Sequence, residues 1–132
     1  MGTLRVGSAG TGTLTNDGVV APGTSPGTLT INGNYTQGVA GVLAVEIGGT
    51  TPGTQYDQLV VTGNTMLDGT LSVSLINAFT GTAGDTFTII QSGGTVNGTF
   101  AATTFPAGSS FTTDYLASNV NLVSGGTNAN VL

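Results

Sequence analysis

The chain has no cysteine, histidine, tryptophan or lysine, and Arg5 is its only basic residue. Without Cys and His there is no raw material for a zinc site, a thiolate nucleophile, a histidine base or a disulfide framework. A single cation cannot displace counterions along nucleic-acid phosphates, nor hold an anionic bilayer surface. No run approaches the roughly 18 apolar residues of a membrane-crossing helix. Charged residues make up 5% of the chain, against about 25% in an ordinary soluble domain. The surface is therefore expected to be covered by Thr, Ser, Asn, Gln and Gly rather than by ion pairs.

What is present is equally one-sided. Glycine fills 23 of 132 positions and threonine 25. Mean hydropathy is +0.29, too high for a disordered chain, so the sequence should fold, and as one domain at this length. Glycine or proline interrupts nearly every ten-residue window, which almost excludes helix. Apolar residues alternate instead: Leu43, Val45 and Ile47; Leu59 and Val61; Leu71, Val73 and Leu75; Phe87 and Ile89; Val120 and Leu122. A period of two with one polar face reads as half-buried strands. Pro22-Gly23, Pro26-Gly27, Asn32-Gly33, Pro52-Gly53, Asp68-Gly69, Gly93-Gly94 and Asn97-Gly98 mark reversals between them. Gly-Thr-Leu or a variant begins at Gly12, Gly27, Gly41, Gly69 and Gly98. This spacing of about 14 residues or its double predicts stacked units of one strand plus one turn, two units making a strand pair.

The stretch Val20-Ala21-Pro22-Gly23-Thr24-Ser25-Pro26-Gly27-Thr28-Leu29-Thr30-Ile31-Asn32-Gly33-Asn34-Tyr35-Thr36-Gln37 resembles a segment of bacterial autotransporter passenger regions and related secreted β-helix proteins. So do Gly41–Ile47, Tyr56–Gly63, Leu67–Val73 and Gly84–Ile90 in their order, and the likeness covers about residues 12–123. The resemblance implies a β-solenoid stalk, exported and displayed outside the cell, with no catalytic residue to carry over. The start Met1-Gly2-Thr3-Leu4-Arg5 has no apolar core of a signal peptide. The expectation is a segment trimmed from a longer exported protein, without its membrane-anchoring barrel, or else a small stand-alone relative. The expected fold is all-β. Solenoid-like coils should run over about residues 1–50, a strand-rich module (a β-sandwich or the end of a β-helix) over 51–124, and a tail over 125–132.

Candidate chemistry is sparse. The carboxylates are Asp17, Glu46, Asp57, Asp68, Asp85 and Asp114. Glycoside hydrolysis needs two of them facing one bond, normally with basic or aromatic groups to grip the sugar, so no catalytic pair is assigned. Glu46 and Asp57 are the calcium candidates, if they meet across neighbouring strands; otherwise they are solvated or accept backbone donors. The Thr-x-Thr pairs Thr11/Thr13/Thr15, Thr28/Thr30 and Thr86/Thr88 are too irregular for an ice-binding ladder. Phe79, Phe87, Phe100, Phe105 and Phe111 suit a C-terminal core better than a sugar cleft. No cofactor is expected. With no Lys and little charge to guard strand edges, Leu4, Val6, Val120, Leu122, Val131 and Leu132 are candidate assembly edges. The leading expectation is a non-enzymatic extracellular stalk, self-assembling fibre subunit or adhesin scaffold that associates with itself. The alternatives are a module binding glycan or a host receptor and, more remotely, a polysaccharide-active enzyme.

Overall fold

Backbone alternation turns directly into burial. In the computed structural model, which describes residues 2–5, 12–22, 26–107 and 109–127, Leu43, Val45 and Ile47 face inward while Val42, Ala44 and Glu46 remain half-exposed. The same alternation buries Leu59 and Val61, Leu71 and Val73, and Phe87 and Ile89. The fold is all-β, with no helix among the described residues. The described residues form fourteen strands: β1 (Gly2–Arg5), β2 (Thr13–Asn16), β3 (Val19–Val20), β4 (Thr28–Asn32), β5 (Asn34–Gln37), β6 (Val42–Ile47), β7 (Gln58–Val61), β8 (Thr65–Leu67), β9 (Thr70–Leu75), β10 (Thr86–Ser92), β11 (Val96–Gly98), β12 (Ala102–Thr104), β13 (Ser109–Tyr115) and β14 (Asn119–Thr127).

Three sheets share these strands in rotation. The first has the order β1-β4-β7-β10-β14-β13, the second β11-β8-β5-β2 and the third β12-β9-β6-β3. Every pairing from β1 to β12 is parallel and joins strands three elements apart. The chain therefore makes four successive circuits, visiting each sheet once per circuit. Leu29 stands beside Leu59, and Leu59 beside Ile90; Leu43 stands beside Leu71. These stacked side chains form one continuous hydrophobic cluster.

The circuit of about 30 residues corrects the expected unit. Gly41-Val42-Leu43 and Gly69-Thr70-Leu71 lie one circuit apart on paired strands β6 and β9. Gly12, Gly27 and Gly41 instead open strands of three different sheets, so their 14-residue steps pass from face to face. Glycine recurs at every corner, so its spacing counts corners rather than circuits. Parallel stacking also runs past residue 50 as far as β12, a later change of architecture than the sequence pattern implied. Only β14 and β13 are antiparallel additions, placed on β10.

The corners explain the turn chemistry. Between the first and second sheets, Asn34 Oδ1 accepts the N–H of Asn64 at 2.8 Å, and Asn64 Oδ1 accepts that of Thr95 at 3.0 Å. Each amide thus satisfies the backbone of the corner stacked above it. Between the second and third sheets, Gly69 has φ +67° and a Cβ there would overlap the carbonyl oxygen of Gly41. Two longer segments, 48–57 and 76–85, leave from the corner between the third and first sheets. The second begins with a tight turn in which Phe79 N–H donates to Ile76 O at 3.0 Å, with Asn77 and Ala78 at φ 56° and 57°. Left-handed backbone at both central positions is a type I′ turn, and alanine is a poor occupant of the second. Ala78 is exposed. Ala78→Gly is expected to raise stability by about 0.5–1 kcal/mol, measured as a shift in urea midpoint at unchanged slope.

Candidate functional site

The two calcium candidates meet, but as a backbone clamp. Asp57 lies just before β7 and is buried. One carboxylate oxygen accepts the N–H of Gly27 at 2.8 Å and the other that of Glu46 at 2.9 Å; the Asp57 N–H donates to Glu46 O at 2.9 Å. Both oxygens are thus turned toward amide donors, an arrangement opposite in sign to a cation site. The half-exposed Glu46 lies beside Ser74 on β9. No group of three or more His, Cys, Asp or Glu residues gathers anywhere among the described residues. Burial pushes the Asp57 carboxyl above its ordinary value, against the two amide bonds, which lower it; the Glu46 charge raises it further.

A second polar cluster lies inside the stack, at inward positions of β2 and β5. Leu14 and Tyr35 share a column with Thr65, and the next inward column is Asn16 beside Gln37. Tyr35 donates its hydroxyl proton to Gln37 Oε1 at 2.7 Å and accepts Asn16 Nδ2 at 3.0 Å. Asn16 Nδ2 also reaches Val42 O at 3.0 Å, while Gln37 Nε2 reaches Asp68 O at 2.9 Å and Thr70 O at 3.1 Å. Three circuits are tied together at this corner by side chains whose donors all end on oxygen. Burial raises the Tyr35 phenol to about 12, with the Asn16 hydrogen bond opposing the rise. The available signal was parity: Asn16 and Gln37 each close an alternating strand at an inward position.

Aromatic residues gather at the other end of the stack, as their C-terminal clustering in sequence suggested. Phe87 is fully buried and meets Tyr56, Phe79 and Phe111 edge to face, with centroid separations of 5.3, 6.0 and 6.1 Å. Phe105 packs on Phe111 and Phe100 on Tyr115, whose hydroxyl accepts the Phe100 N–H. Because these rings are spent on one another and on the core, they do not form an open platform for sugar. The threonine pairs do not align either. Thr15 stands beside Thr36 but then Met66, and Thr28 and Thr30 stand beside Gln58 and Val60.

The expected assembly edges separate into three groups. Leu4 is on β1, an outer strand of the six-stranded sheet. Val120 and Leu122 are fully buried on β14, which is paired on both sides, so they are core and not edge. The outer strand at that end is β13. Val6, Val131 and Leu132 fall outside the described residues.

No protein-family model matches the chain. Over 120 residues, 89% of its length, the chain is 33% identical to the adhesin BmaC autotransporter of Brucella suis biovar 1 (strain 1330). It spans 4% of the length of that protein. This similarity supports an autotransporter-related origin, in line with the resemblance in the turn and strand motifs.

Two outcomes test the polar clusters. Asp57→Ala leaves the Gly27 and Glu46 amides without acceptors and should cost about 2–4 kcal/mol, read from chemical denaturation. Because the native state holds the Asp57 proton more tightly than the unfolded chain, this group favours folding most in acid. Its contribution falls as pH rises through the ordinary aspartate value of 3.8 toward the raised native one. Asp57→Asn should flatten that part of the stability–pH curve. For Tyr35, ultraviolet titration should show a phenol that ionises only near pH 12. Stability should fall between the ordinary phenol value of about 10 and that point, and Tyr35→Phe should remove this alkaline loss while costing about 1–2 kcal/mol near neutrality.

Proposed function

We propose that the chain is a length of β-solenoid from an exported adhesin of autotransporter type, acting as a non-enzymatic stalk that holds surface outside the cell. The observation that carries this reading is the rotation of successive strands through three parallel sheets over four circuits. A fold of this kind lengthens by adding circuits without changing its cross-section. The similarity to an adhesin autotransporter over 89% of the chain supports the surface location. The composition supports the mechanical part. Thr, Ser, Asn and Gln cover the faces, and the buried polar groups of Asp57, Tyr35 and Gln37 are engaged in holding circuits together rather than turned toward a substrate.

Antibodies raised against the purified chain should label intact cells of the source organism, and protease added outside the cells should remove the label. Labelling that appears only after permeabilisation would overturn the surface reading. The purified chain should show no ligand on a glycan array; a saturable glycan hit would favour the binding-module reading over the stalk.

A further inference from the structure

Asn32-Gly33 and Asn97-Gly98 place the same dipeptide at two different corners of the stack, and the structure holds the two differently. In such a pair the main-chain nitrogen of the glycine has no Cβ beside it to hinder attack on the asparagine side-chain carbonyl carbon. The N–Cγ bond forms and the Cγ–Nδ2 bond breaks. Ammonia leaves with the proton that the glycine nitrogen gives up. The five-membered imide left behind takes up one water and opens to aspartate or, through its other carbonyl, to isoaspartate. We infer that Asn97 is a site of this spontaneous deamidation in the folded chain, and that Asn32 is protected from it by Thr62.

At the first corner both reacting groups are occupied. The Gly33 N–H donates to Thr62 Oγ1 at 2.9 Å, and the Thr62 hydroxyl donates to Asn32 Oδ1 at 3.2 Å. Thr62 belongs to the next circuit, and backbone bonds lock it there. Its N–H donates to Ile31 O at 2.9 Å, and the Gly63 N–H donates to Gly33 O at 2.8 Å. Closing a ring between Gly33 and Asn32 must break both Thr62 contacts. At the second corner nothing comparable is found. Asn97 is exposed on the lateral face, in the outward column that runs through Thr15, Thr36 and Met66. Met66 beside it is itself 53% exposed, so water reaches this face. Asn97 Nδ2 donates to Thr95 Oγ1 at 3.2 Å, also exposed, and among the described residues nothing donates to Asn97 Oδ1. Position 98 must be glycine, because φ is +76° and a Cβ would come within 2.6 Å of Leu67 O. The close approach of stacked corners thus keeps in place the residue that makes Asn97 reactive.

The test compares the 132-residue chain in warm, mildly alkaline buffer with the same chain in urea, sampled over time by chymotryptic peptide mass mapping. In the folded chain, acid should appear at position 97 at least about tenfold faster than at position 32, since Asn32 must first open its corner. Electron-transfer fragmentation should identify part of the product as isoaspartate. In urea the two sites should convert at similar rates, because the dipeptide alone then governs them. Thr62→Val, at an exposed position, should raise the folded-state rate at Asn32 several-fold and leave that at Asn97 unchanged. Thr62→Ser keeps the hydroxyl and should keep Asn32 slow, with the strand signal in circular dichroism unchanged in both variants. A folded chain in which Asn32 converts as fast as Asn97, or in which Asn97 stays intact while converting in urea, would overturn the site. A folded Thr62→Val chain whose Asn32 stays as slow as before would overturn the protective role of Thr62.

Discussion

Everything in this protein depends on parallel backbone pairing between successive circuits. Each strand from β4 to β9 is hydrogen-bonded on one side to the circuit before and on the other to the circuit after. Amides in the interior of the stack are thereby satisfied by the circuits on either side. Register then becomes the controlling quantity, because a shift by one residue would turn Leu43, Leu59 and Leu71 outward together. The side-chain clamps act on this quantity. Asn34 to Asn64 to Thr95 fixes one corner, Asn16–Tyr35–Gln37 another, and Asp57 a third, each bonding a residue of one circuit to the backbone of another.

Stacking of this kind constrains the corners more than the faces. Faces need only keep their alternation, so Leu, Ile, Val, Tyr and Phe exchange freely along the inward columns. Corners of neighbouring circuits lie backbone against backbone, which leaves no room for a side chain at positions such as Gly69. Where the chain departs from the stack it does so at one corner, in segments 48–57 and 76–85. Tyr56 and Phe79 return from those segments to pack on Phe87. The insertions thus supply aromatic volume to the core at the point where parallel circuits give way to the antiparallel hairpin.

Strands and turns were legible in the sequence because each is set by neighbours one or two residues away. Leu43-Val45-Ile47 announces a buried face, and Asn32-Gly33 announces a corner. The number of strands per circuit was not legible. A three-sheet circuit and a two-strand unit share the same alternation and the same glycine punctuation, and differ only in which strands meet roughly 30 residues apart. For the same reason Val120 and Leu122 read as an edge from their place near the end of the chain, while the hairpin makes β14 an interior strand. Asp57 illustrates a subtler ambiguity. A lone carboxylate between strands suits a cation or a pair of amides equally well by residue type, and only the direction of the Gly27 and Glu46 N–H groups decides between them.

The near-absence of charge follows from the same geometry. In a registered parallel stack a residue type repeated once per circuit lies beside its own kind at the strand spacing of about 4.8 Å. Two like charges at about 4 Å cost about 1 kcal/mol even in water, and more where neighbouring faces exclude it. A repeating sequence that carried one charge per circuit would meet that cost at every step, whereas threonine, asparagine and glutamine stack without it. Glu46, which lies in a parallel column, obeys this rule: its neighbour on the next circuit is Ser74. Low charge is in this sense a condition for lengthening the stack. The same composition leaves no lysine to protect strand edges, so register within the stack rests on backbone pairing and on the side-chain clamps at its corners.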